Sequence, residues 1–142
     1  MERQKRPTKR GDRKMANEKT GRMAEIALAK RDTGATREWA EQSLALAERL
    51  GETATESDAH YWLAQAAQAE GDDQAVDAEF AAALSGPEER ERRGRMASYR
   101  VAYAEILEGR GDILAANRQL KLALAALGHR VVAAEGARSA TA

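Results

Sequence analysis

The chain has 142 residues, 23 Lys plus Arg against 23 Asp plus Glu, and no cysteine. That length fits one domain with a modest core, and the missing thiols exclude disulfides, Cys-type zinc sites and thiol catalysis. Apolar residues make up 43%, largely alanine with one Phe, two Trp and three Tyr, and β-branched residues are sparse, so an all-α fold of closely packed helices is expected.

In chain order, residues 1–16 read as a basic arm that cannot cover a core and is expected to be disordered. Arg3, Lys5, Arg6, Lys9, Arg10, Arg13 and Lys14 are set against only Glu2 and Asp12 there, while the rest of the chain is net acidic. No apolar stretch follows the arm as in a secretory signal. A first helix is expected over 17–31, with Met23, Ile26, Ala27 and Lys30 as a weak stripe. Thr33-Gly34 breaks it, and Thr36 is placed to cap the next helix. The second helix, 37–50, carries Ala40, Leu44 and Ala47 at i, i+4, i+7 and ends at Gly51. A third is expected over 55–70, capped by Thr55 or Ser57 and ended by Gly71. A fourth follows over 73–84, with acidic residues in its first turn where the helix dipole favours them.

Ser85-Gly86-Pro87 separates this pair from a fifth helix over 88–108. Its first turns, Glu88 to Arg93, are almost wholly charged and held by Glu–Arg pairs, with Gly94 a candidate kink. The run Arg90, Arg92, Arg93, Arg95 is offset by Glu88, Glu89 and Glu91 and reads as a solvated helix end. The sixth helix is expected over 113–127, ending at Gly128 with His129 beside its C-terminus. Residues 129–135 add a short turn, and 136–142 form a flexible tail. No apolar run nears the ~20 residues of a bilayer crossing, so a cytoplasmic protein without membrane contact is expected.

One pattern occurs twice. Gly71-Asp72 is followed by Val76, Phe80, Ala83 and Leu84, and Gly111-Asp112 by Ala116, Leu120, Ala123 and Leu124, at the same offsets. Leu63, Ala64 and Ala67 precede the first glycine, and Tyr103, Ala104 and Leu107 the second. Matching Ala40, Leu44 and Ala47 to Val76, Phe80 and Ala83 gives a degenerate first copy, 36 residues before the second; the second precedes the third by 40. Repetition at this scale reads as stacked helix pairs.

These residues resemble the tetratricopeptide repeat, over about residues 22–127. The resemblance implies a right-handed α-solenoid of about three helix-turn-helix repeats within 17–135, with the Gly-Asp pair turning helix A into helix B. Small residues at Ala64, Ala83, Ala104, Ala116 and Ala123 would be where helices touch, and Leu63, Phe80, Tyr103 and Leu120 would fill the gaps. The sequence departs from the family in Val76, where alanine is usual, in having only Pro87 as a closing proline, and in spacings above the usual 34. Longer units with stretches such as Leu44 to Gly51 look like repeats of bacterial regulators and signalling proteins.

The resemblance also implies a groove lined by one stripe of each A helix: Asp58, Tyr61, Gln65, Gln68, Ser98, Val101, Glu105 and Glu108. The alternative is a plain solvated face. The stripe is neutral to acidic and lacks the Lys and Asn with which some family members hold a C-terminal carboxylate, so a basic or apolar peptide suits it better. Trp62 reads as core; Trp39 is either core or an anchor for a partner. His60 and His129 lie on different repeats without further ligands, and read as surface or capping residues. No nucleophile elbow, phosphate-binding glycine loop or separated carboxylate pair is present, so no catalytic residue, metal or cofactor is expected.

The expected function is a non-enzymatic scaffold binding a peptide or partner protein through the A-helix groove. The alternative is a nucleic-acid-associated regulator. In that reading the cations of the arm engage phosphates without reading bases, and the repeats serve sensing or oligomerisation. A stack of three pairs leaves two end faces to cover, so self-association is a further expectation, with Val131 and Val132 exposed or packed over Leu124 and Leu127.

Overall fold

The computed structural model describes residues 9–86 and 92–140, with backbone alone for 9, 10, 12–14 and 129–140. The described residues are helical, without a strand: α1 (Lys9–Ala29), α2 (Thr33–Leu50), α3 (Thr53–Glu70), α4 (Asp73–Leu84), α5 (Arg93–Gly109) and α6 (Ile113–Ala140). They fall into two compact units, Met1–Gly86 and Pro87–Ala142. The all-α expectation therefore holds for the described residues.

The turns explain the helix boundaries. Asp72 caps α4, its carboxylate accepting the Ala75 N–H at 3.1 Å, and Asp112 accepts the Ala115 N–H at 3.2 Å at the start of α6. Gly71 and Gly111 take the left-handed conformation, φ 74° and 82°, which ends the preceding helix and costs glycine nothing sterically. The third such turn is at Arg31-Asp32. Arg31 holds φ 58°, and Asp32 accepts the Ala35 N–H at 3.1 Å. The amides of Asp32, Asp72 and Asp112 close the turns by donating to Ala27, Ala67 and Leu107 carbonyls at 2.9, 3.0 and 2.9 Å.

This corrects the repeat. The turn aspartates stand forty residues apart each time, so the spacing is regular and the first copy begins at Arg31-Asp32. The burial pattern follows the same register: Ala24, Ala64 and Ala104; Ala27, Ala67 and Leu107; Ser43, Ala83 and Ala123 are all buried. Thr36, Val76 and Ala116 are buried as well. Thr36 is therefore not the cap of α2; its hydroxyl donates to the Asp32 carbonyl at 2.8 Å inside the first turn. The expected alignment of Ala40, Leu44 and Ala47 with Val76, Phe80 and Ala83 is displaced by one helical turn from this register. An i, i+4, i+7 pattern shifted by four residues still falls on one helix face, and Arg31 concealed the glycine position.

Other boundaries move too. α1 begins at Lys9, ahead of the expected residue 17, so Lys9, Arg10, Arg13 and Lys14 stand on helical backbone. Arg3, Lys5 and Arg6 lie outside the described residues. α3 starts after Glu52, which makes no side-chain cap. Ser57, expected as a candidate cap, is buried and donates to the Ala83 carbonyl in the last turn of α4. α5 begins at Arg93, and 87–91, where its start was expected, lie outside the described residues. α6 runs unbroken past Gly128 and Gly136 to Ala140, so Gly128 does not end it and no separate turn follows at 129–135.

In the first unit α1 packs on α2 and α3, α2 on α3, and α3 on α4. The core joins Ala24, Ala40, Ala59, Trp62 and Leu63, with Leu28, Trp39, Leu44 and Tyr61 packed around it. Trp39 is thus core-associated. Small side chains permit close approach: a Cβ on Gly21 would stand 3.0 Å from the Trp62 ring. Tyr61 meets Phe80 edge-on, centroids 6.0 Å apart. Polar ties cross the same helices. Arg37 bonds Glu70 at 2.9 Å, which raises its already high pKa, and His60 Nδ1 lies 2.6 Å from Glu79 Oε2. In the second unit α5 packs on α6 through Ala104, Leu107 and Ala116, flanked by Tyr103, Ala115 and Leu120; Arg100 donates to Gln119 at 3.0 Å.

Candidate functional site

A groove of about 590 Å³ opens in the first unit between α1 and the start of α3. One wall is a single face of α1: Asn17, Glu18, Gly21, Arg22 and Glu25, spaced at i, i+1, i+4, i+5 and i+8. The other wall is the turn from Gly51 to Thr55, then Asp58 and Trp62 on successive turns of α3. The walls approach closely because Gly21 leaves no side chain against Trp62.

The floor is polar and internally satisfied. Asn17 is 1% exposed. Its Nδ2 donates to Glu52 Oε2 at 3.2 Å, and its Oδ1 accepts the Ser43 hydroxyl at 3.0 Å. Thr55 also donates to Glu52 Oε2, at 3.3 Å, and the Thr20 hydroxyl donates to the Asn17 carbonyl at 2.9 Å. Asn17 thereby ties α1 to α2 and to the turn before α3, and Glu52 is held at the groove wall by two donors. A buried asparagine needs such partners, because burial without them costs several kcal/mol, roughly 2–7.

The lining carries Glu18, Glu25, Glu52 and Asp58 against Arg22 alone. Glu18, Arg22 and Glu25 are exposed, while Glu52 and Asp58 are half-buried. The surface is therefore electronegative, with an apolar contribution from Trp62 and Ala54.

Of the residues expected to line a groove, the structure places Asp58 in this one. Tyr61 turns to Phe80 and the core and does not line this groove. Gln65 is half-buried and Gln68 exposed, and neither lines the groove. Ser98, Val101, Glu105 and Glu108 are exposed on α5, in the second unit. The sequence reading missed Asn17, Glu18, Gly21, Arg22, Glu25 and Glu52. A usable signal existed: subtracting the forty-residue period from Asp58, Tyr61 and Gln65 gives Glu18, Gly21 and Glu25.

Among the described residues, no cluster of His, Asp and Glu is arranged to hold a metal ion, and no helix is long and apolar enough to cross a membrane. No family model, curated protein or solved structure matches the chain.

Proposed function

We propose that the chain is a non-catalytic binding module, similar to tetratricopeptide repeats, that seats a peptide segment of a partner between α1 and α3. The observation that carries this reading is the 590 Å³ groove formed by α1 and α3. The forty-residue recurrence of one capped turn supports the repeat architecture, in which each added helix pair extends a shared surface. The groove's polar floor already satisfies its own hydrogen bonds, and its wall residues are carboxylates, a guanidinium and an indole, chemistry suited to recognition.

Random peptides displayed on phage and selected on the intact chain test the reading. Selected peptides are expected to shift the backbone amide NMR signals of residues 17–25 and 51–58. Selected peptides that shift only amides elsewhere would overturn it.

A further inference from the structure

We infer that the α1–α3 groove selects a cationic peptide, one presenting arginine or lysine side chains to Glu18, Glu25, Glu52 and Asp58. This rests on the peptide-binding reading above and adds the chemistry of the ligand.

Three features of the groove point the same way. First, four carboxylates line it against the single guanidinium of Arg22, so an incoming cation gains and an incoming anion is repelled. Second, these charges are distributed along a cleft. Glu18 and Glu25 are seven residues apart on α1, about 10.5 Å along the axis at 1.5 Å per residue. Two cations three residues apart on a polyproline-like chain share one face and are separated by about 9 Å, so one peptide can serve both carboxylates. Third, the opposite wall is prepared. Glu52 is fixed by Asn17 and Thr55, so little side-chain freedom is lost when it pairs. Ala54, half-buried in the same wall, gives the aliphatic stem of an arginine or lysine an apolar surface to cover.

Arg22 supplies an internal control. It stands one turn from both Glu18 and Glu25 and offsets one of the four negative charges. Removing its charge should strengthen cationic binding, an effect that general damage to α1 would not produce. Glu18, Arg22 and Glu25 are all exposed, so their substitution leaves the core intact.

The probe is a fluorescent heptapeptide with arginine at every third position and alanine between, compared with versions carrying glutamine or glutamate instead. Anisotropy titrations with the intact chain at low salt are expected to show binding of the arginine peptide alone. The paired change Glu18→Gln with Glu25→Gln weakens it by about two- to fivefold per charge, the range for exposed ion pairs. Arg22→Gln strengthens it by a similar factor, and physiological salt weakens it in all forms. Equal binding of the glutamine peptide, or no binding of the arginine peptide, overturns the cationic assignment. Arginine-peptide affinity unchanged by all three substitutions overturns it as well. If the display selection still yields groove binders in those cases, the peptide-binding reading stands and only the ligand class is lost; if it yields none, the groove reading falls independently.

Discussion

Arg31→Gly should stabilise the first unit. Arg31 holds φ 58° at the end of α1, where a side chain with a Cβ incurs about 1–2 kcal/mol from the left-handed backbone. Glycine removes that cost but enlarges the unfolded ensemble, which returns about 0.4–1 kcal/mol. The net gain is about 0.5–1 kcal/mol. Arg31 is exposed, so little packing is lost with the side chain. Gly71→Ala is the mirror experiment. Gly71 holds φ 74° in the equivalent turn, and an added Cβ would find no atom within 4 Å, so its penalty is a backbone term and stability falls by a comparable amount. Urea denaturation followed by far-UV circular dichroism reads both, with the slope m unchanged and the midpoints moving in opposite directions. For a unit of this size, a change of ~1 kcal/mol moves the midpoint temperature by about 4–8 °C. If Arg31→Gly is destabilising, or has no effect while Gly71→Ala is destabilising, the equivalence of the two turns is wrong.

Asn17→Ala should cost about 2 kcal/mol, because it strands the Ser43 hydroxyl and removes a donor from Glu52 in the same step; differential scanning calorimetry of the pure variant measures it. Leu44 and Leu124 share one register position but differ in surroundings, since Leu44 packs against the first core while Leu124 is 68% exposed. Leu44→Ala should therefore cost about 1–2 kcal/mol and Leu124→Ala less than about 0.5 kcal/mol, read from amide hydrogen exchange in α2 and α6 respectively.

Helix type and most core positions were legible because they depend on local apolar spacing. Val76, Phe80, Ala83, Ala116 and Ala123 are buried at the periods that the sequence shows. Ends were harder where a single residue departs from the common chemistry. Asp32 caps α2 in place of the expected Thr36, because the cap is decided by which side chain can reach the amide three residues on. Arg31 takes a glycine's conformation, and no propensity argument selects arginine there. Gly128 failed as a terminator for the opposite reason: glycine weakens a helix by only about 1 kcal/mol, less than favourable neighbours can restore.

The site was half-hidden by the same slip in register. Placing the first copy at 36 residues instead of 40 left α1 without an assigned groove face, and its stripe was sought only on α3 and α5. With the turn at Arg31-Asp32 as the origin, Asp58 carries back to Glu18 and Gln65 to Glu25, both in the groove lining. Tyr61 carries back to Gly21. That pairing is the physical reason for the groove itself. A ring at position 61 can turn to Phe80, whereas a ring at position 21 would collide with Trp62, since even a Cβ there stands 3.0 Å from the indole. The first repeat therefore gives up a side chain to let α1 approach α3. The charges that flank this glycine, Glu18, Arg22 and Glu25, then face the start of α3 at close range. The acidic character of the cleft follows from that approach as much as from composition, because the chain as a whole carries no net charge.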